Sequence, residues 1–305
     1  MGQETKSAWR ALVAGPVSIA IAVVLSACGS TTAPGVAGQP TSSAIASTSP
    51  AGTTAAATAP SAMLAGIPVY WIADSRRSFA LYREFREVPD IGGPIASAVS
   101  AMTSLKPLDP DYMTPWRPAS RVTVSQKGDA ITVDLSSDAF SNTQVGSELA
   151  HRAVQQLIYT ATAAALKAGT PATTVRITVD GAVIDVWGVI RLGETMARAP
   201  ASAVQAHTWV TSPQEGEDLP AGTVTFKGFG TAFEANFVWE VRNGSGAAVA
   251  KGYTMGGTGD GKFGDFTFTA KLTAGAYSVK VSGSDGSGGA EGRGAAIDDK
   301  TFTVH

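Results

Sequence analysis

Gly146-Ser147-Glu148-Leu149-Ala150-His151-Arg152-Ala153-Val154-Gln155-Gln156-Leu157-Ile158-Tyr159-Thr160 opens a stretch that runs to Lys167 with the clearest helical period in the chain. Leu149, Ala153, Leu157 and Ala161 recur on one face, with Ala150, Val154 and Ile158 beside them, and Gly169 with Pro171 ends the pattern. Apolar residues spaced three and four apart let a helix bury one side, and a glycine just past the last turn supplies its stop.

Strand-like segments surround this helix. On its N-terminal side, Val69-Tyr70-Trp71-Ile72 reads as a buried strand and Phe79 to Phe85 as a second, with Asp74 to Ser78 as the hairpin turn between them. Pro94 stands at a natural helix start, Ile95, Val99 and Met102 follow at helical spacing, and Pro107 stops the run. Leu108 to Pro118 reads as loop, and Arg121 to Ser125 with Ala130 to Leu135 predicts a hairpin around Lys127-Gly128-Asp129. On its C-terminal side, Thr174 to Val179 and Val183 to Trp187 flank the turn dipeptide Asp180-Gly181 and predict another hairpin. The expectation for residues 66–196 is therefore an α+β domain, an antiparallel-rich sheet whose two helices cover one face.

Residues 197–206 are small and weakly patterned and read as a linker. Beyond them the composition turns glycine-rich, and alternating runs recur at Val224–Phe229, Phe237–Val241, Phe266–Thr269, Tyr277–Val281 and Phe302–Val304. Short strands with turn signals every 8–12 residues predict an all-β sandwich over 207–305, with Trp239 as a core residue between its sheets.

The other end of the chain has a different character. Met1 to Arg10 is a short polar segment with Lys6 and Arg10, and Ala11 to Leu25 is an apolar run suited to a signal-peptide core rather than a bilayer span. Leu25-Ser26-Ala27-Cys28 resembles the lipobox of bacterial lipoproteins. That resemblance implies cleavage between Ala27 and Cys28, after residues 1–27, with diacylglycerol on the sulfur of Cys28. Residues 28–65 are built mainly from Ser, Thr, Ala, Pro and Gly with no aromatic residue and no charge, a composition that cannot bury enough surface to fold. As a flexible tether it would hold the first domain on the order of 30–35 Å from the membrane, at roughly 5–6 Å × √n.

The domains carry resemblances of their own. Val69-Tyr70-Trp71, Thr132-Val133-Asp134-Leu135, Gln155-Gln156-Leu157-Ile158-Tyr159-Thr160 and Val175-Arg176-Ile177-Thr178-Val179-Asp180-Gly181 are similar to the GerMN domain of sporulation and spore-germination lipoproteins, with a longer, proline-rich Pro107–Pro118. Val210 to Gly216, Phe233 to Phe237 and Asp298 to Val304 resemble Gmad2, the immunoglobulin-like domain of bacterial spore germination. The pair implies fold and setting and brings no catalytic motif with it.

Several chemistries are disfavoured. With 23 Lys and Arg against 25 Asp and Glu, net −2, the chain lacks the basic footprint of a nucleic-acid binder. One cysteine and three scattered histidines, His151, His207 and His305, leave no cysteine- or histidine-based metal centre, and no cofactor is expected. Gly256 to Lys262 imitates a P-loop and Gly259, Gly261 and Gly264 a dinucleotide fingerprint, but a strand follows where both motifs need a helix N-terminus. Asp260 with Asp265, or Asp285 with Glu291, could ligate calcium, though solvated turn acids are the plainer reading. Arg76, Arg77, Arg83 and Arg86 near Tyr70 and Tyr82 could meet an anionic polymer, diluted by Glu84, Glu87 and Asp90. No Gly-x-Ser-x-Gly elbow is present, and His151 falls on the polar side of its helix.

The expectation is a non-enzymatic protein on the extracytoplasmic face of the cell membrane, lipid-anchored and binding an envelope protein or cell-wall polymer. A wall hydrolase with paired carboxylates and a calcium or small-ligand module stand as the alternatives.

Overall fold

The computed structural model describes residues 62–75, 78–258, 260–284 and 295–305, all within one compact unit. The expectations on Ala27, Cys28 and the tether up to residue 61 lie outside the described residues, as do Arg76, Arg77, Asp285 and Glu291.

The first domain begins with a long hairpin, β1 (Met63–Asp74) and β2 (Phe79–Pro89), in the register Val69↔Glu84 and Trp71↔Tyr82. Met63 to Ala65 thus belong to a strand rather than to the tether. α1 (Pro94–Ser104) starts on Pro94, whose missing N–H costs nothing in a first turn. β3 (Val122–Lys127) and β4 (Ala130–Leu135) form the expected hairpin, and α2 (Ser147–Lys167) is the long helix.

After α2, β5 (Thr174–Val179) returns parallel to β4, with Ile131 beside Val175 and Val133 beside Ile177, so the centre of this sheet is a parallel pair joined through the helix. The hairpin predicted across Asp180-Gly181 does not form beyond its turn. Asp180 and Gly181 take the positive φ values such a turn needs, and Val179 bridges Ala182. The chain then leaves to make a small ribbon of β6 (Asp185–Val186) and β7 (Ile190–Arg191), and the free edge of β5 goes to β8 (Thr195–Ala197). The strand order is β3-β4-β5-β8.

The stretch read as a linker is also built into the fold. Ala197 closes β8, α3 (Ala201–Val204) follows, Val204 and Ala206 are buried, and Ala206 N–H donates to Leu81 O at 3.0 Å.

The second domain has β9 (Thr208–Ser212), β10 (Glu217–Leu219), β11 (Gly222–Gly230), β12 (Asn236–Asn243), β13 (Ala248–Met255), β14 (Gly264–Leu272), β15 (Gly275–Gly283) and β16 (Ile297–Val304). They form two sheets, β14-β11-β9 and β10-β16-β15-β12-β13. Their inward faces meet in a core of Phe226, Phe237, Phe266, Phe268, Val279, Val281 and Phe302, the sandwich expected from the alternation.

Two glycines in this core sit opposite aromatic rings. Gly228 faces Phe266 across β11–β14, where a Cβ would stand 1.9 Å from the ring, and Gly252 faces Trp239 across β12–β13, where it would stand 2.7 Å away. The rings fold over the bare backbone and replace the missing side chains. Trp239 points inward and stacks on Phe268 at 4.4 Å but remains partly exposed. The fully buried tryptophan of this half is Trp209, which packs toward the first domain, edge-on to Tyr82.

Among the described residues no helix is long and apolar enough to cross a membrane.

Candidate functional site at the domain junction

Each edge of the β1–β2 hairpin is met by a glutamine. Gln156, fully buried on α2, donates to Tyr70 O at 2.8 Å, while Tyr70 N–H donates to the Thr160 hydroxyl at 3.1 Å. On the opposite edge, Gln214 of the second domain accepts from Phe85 N–H at 2.6 Å and donates to Phe85 O at 2.8 Å. Open strand edges expose rows of unpaired amide groups, and these side chains end the rows without another strand.

Beside this contact lies a buried charge cluster. Period-2 alternation along β16 puts Asp298 and Lys300 on the same inward face as Phe302 and Val304. At that end of the sandwich they meet the α1–β3 loop of the first domain. Lys300 Nζ stands 2.6 Å from Asp109 Oδ2, 2.9 Å from Asp298 Oδ2 and 2.8 Å from Tyr112 Oη, and it also donates to Asp299 O. Tyr112 Oη donates to Asp298 Oδ1 at 3.0 Å, and Val210 N–H donates to Asp298 Oδ2 at 2.7 Å. The loop is set from below by buried Glu84, which accepts from Leu108 and Asp109 N–H and pairs with Arg86 at 2.9 Å.

Burial pushes the Asp298 carboxyl up to about 6, against the pull of Lys300. Burial works against the Lys300 charge as well, but Asp298 and Asp109 outweigh it and hold the ammonium above its ordinary value. Tyr112 and Tyr82, stacked at 4.6 Å, are both pushed up by burial and then by Asp298 and Asp109. Both phenols are therefore neutral, Tyr112 donating to Asp298 and Tyr82 stacking on the Tyr112 ring.

A cleft of about 1080 Å³ opens next to the cluster. Asp74 and Phe79 of the hairpin form one wall, His207 and Thr208 the floor, and Phe233 and Asp260 the other wall, while Tyr82 lines it and links it to the charge cluster. Asp260 is exposed and held below its usual range by hydrogen bonds from Lys262 and Thr258.

Arg83 lies over the ring of Phe85 at 5.0 Å and Arg86 is spent on Glu84 and Lys106 O, so neither belongs to an exposed basic face. Tyr70 is buried under α2. His151 is exposed, with Nδ1 2.7 Å from Ser147 O. Asp265 is an exposed residue of β14, and among the described residues no three metal-ligating side chains converge. The glycine run before β14 leads into a strand. The sequence reading did not reach the junction cluster, although charged residues at core-phase positions of a strand, Lys300 and Asp298 two and four before Phe302, signal burial with a partner.

The geometry defines an α+β domain packed against an immunoglobulin-like sandwich through the charge cluster and Gln214. Residues 68–185 match the family described as sporulation and spore germination (Germane), and residues 207–290 match the immunoglobulin-like domain of bacterial spore germination (Gmad2). Both resemblances read from the sequence are shown.

No curated protein matches the chain. Among solved structures, CopC from Methylosinus trichosporium OB3b is 21% identical, covering 32% of this chain and 93% of that one at a TM-score of 0.25. The fibronectin(III)-like modules of Clostridium thermocellum CbhA are 13% identical, covering 32% and 94% at 0.22. An engineered protein is 15% identical, covering 50% of this chain and 36% of its own at 0.27. Scores this low carry no argument.

Proposed function

We propose that this protein is a non-enzymatic adaptor of the cell envelope, held on the extracytoplasmic face of the membrane by a lipid on Cys28 and serving a germination-related process. Both matched families are those of spore germination, which supports the setting. The observation that carries the adaptor reading is the junction. A buried lysine shared by two aspartates and a tyrosine fixes one orientation between the domains, at a desolvation cost that packing alone would avoid. A scaffold that presents two surfaces to one partner needs such a fixed angle, and the cleft lies where the two surfaces meet.

Two measurements test the reading. Photo-crosslinkers placed in living cells at exposed Tyr253 and Phe233 should capture a discrete envelope component, and a crosslinking pattern indistinguishable from that of an unrelated lipoprotein would sink the adaptor role. Cys28→Ser should leave both domains folded and release the chain from the membrane fraction. A Cys28→Ser chain that stays membrane-bound would remove the anchor from the proposal.

A further inference from the structure

We propose that the cleft between the domains binds a neutral glycan; this rests on the adaptor reading and names the chemistry the adaptor holds. The floor of the cleft is closed: Thr208 lines it but is 1% exposed, and its hydroxyl lies beneath the surface.

Gly283 packs so closely against Thr208 that a Cβ there would stand 2.9 Å from the Thr208 hydroxyl and 3.2 Å from Ala232 Cβ, so the floor is closed at this point. The walls supply what a sugar ring requires. Asp74 and Asp260 offer carboxylates that accept from neighbouring hydroxyls, and Thr231 offers a hydroxyl. The ring of Phe233, 56% exposed, offers a flat face for pyranose C–H groups. Ser284 holds Phe233 in place through a backbone bond at 3.2 Å and a side-chain bond to Phe233 O.

Other ligand classes fit less well. An extended peptide binds by adding a strand to an open sheet edge, and the cleft offers none. β2 is bridged there by Gln205 and Ala206, and β9 is paired to β11 through Thr208↔Gly230. A phosphorylated ligand would face two carboxylates, and no lysine or arginine lines the cleft among the described residues. The volume of about 1080 Å³ lies just above the roughly 300–1,000 Å³ of ligand pockets, which suits an oligosaccharide better than a single sugar.

The test is a calorimetric titration of the full chain with N-acetylglucosamine tetrasaccharide and with maltotetraose, repeated on Phe233→Ala and Asp74→Asn. Saturable binding of at least one saccharide, weakened about tenfold or more in both variants at unchanged melting temperature, is expected. Heats that do not saturate with either saccharide overturn the proposal, as does binding that both variants retain. A chain that ignores both saccharides yet is crosslinked from Phe233 to an envelope protein overturns the glycan assignment while leaving the adaptor reading intact.

Discussion

Gln214 closes both hydrogen bonds of Phe85, accepting from its N–H at 2.6 Å and donating to its carbonyl at 2.8 Å, so a side chain of the sandwich occupies the place of a neighbouring strand on the hairpin. The contact spans 129 residues of sequence and joins the two domains through the backbone rather than through a shape-dependent apolar patch.

Gln214→Ala should destabilise the chain by about 1–3 kcal/mol, because two half-buried backbone groups lose their partner together. Amide exchange at Phe85 should accelerate, while exchange in the β4–β5 centre of the first domain stays protected. Unchanged exchange at Phe85 would show that the glutamine is incidental to the junction.

Lys300→Met should cost about 3–5 kcal/mol, since it leaves Asp109 and Asp298 buried side by side without a counter-charge. Adding Asp109→Asn and Asp298→Asn to it should recover most of that loss. Urea denaturation of the single and triple variants reads the difference, and a triple variant no more stable than the single one would contradict the electrostatic account.

Acid should strengthen the junction. Asp298 titrates near 6 in the folded chain, whereas an unfolded aspartate titrates at about 3.9. Between those values the folded state holds a proton that the unfolded state has released, so stability falls as pH rises from about 4 to about 6 and returns on acidification. Asp109, Lys300, Tyr112 and Tyr82 are the titratable groups facing it, and the raised pKa of Lys300 contributes across this window and is lost only in strong alkali. Below about 4 the trend reverses as carboxylates held low, Asp134 and Asp180 among them, lose the bonds that favour their charged forms. Melting temperatures measured from pH 4 to 8 should decline over the lower half of that range, from about 4 to about 6, and level off above it in the native chain, and the decline should flatten in Asp298→Asn.

Gly252→Val should push Trp239 off Phe268, because its added atoms occupy the ring position. The cost should be about 1–3 kcal/mol, the usual penalty of overpacking, with a change in tryptophan emission. Gly244→Ala, whose added Cβ would meet its nearest neighbour at 3.6 Å, serves as the control and should change neither.

How far the sequence could be read depends on what each residue has to say locally. The apolar period of α2 and the alternation of β11, β14 and β15 are properties of single segments, and they predicted those elements closely. Asp180-Gly181 announced its turn correctly, because positive φ is a local demand, but not the destination of the chain afterwards. β4 and β8 had taken both sides of β5, and nothing near residue 183 records that.

Residues 197–206 looked like a linker because their burial rests on one short run, Val204, Gln205 and Ala206, too short to make a period. Trp239 and Trp209 show the same limit. Both lie in alternating segments, and only the packing of the first domain decides that Trp209 is the one fully covered. For the candidate site, Asp298 and Lys300 were visible as charges in core phase, whereas Asp109 and Tyr112 join them only when the domains meet.

Asp109 and its lysine are 191 residues apart. Synthesis at about 5–20 residues per second puts some tens of seconds or less between them, and during that interval Asp109 and Tyr112 must stay hydrated and their loop unsealed. The first domain can gather its local helices and hairpins early, yet its outer wall closes only when almost the whole second sandwich has been made. The junction therefore works as a check on completeness. A chain interrupted anywhere in the sandwich displays an open acidic notch, and a protease that cuts the α1–β3 loop should distinguish finished molecules from unfinished ones.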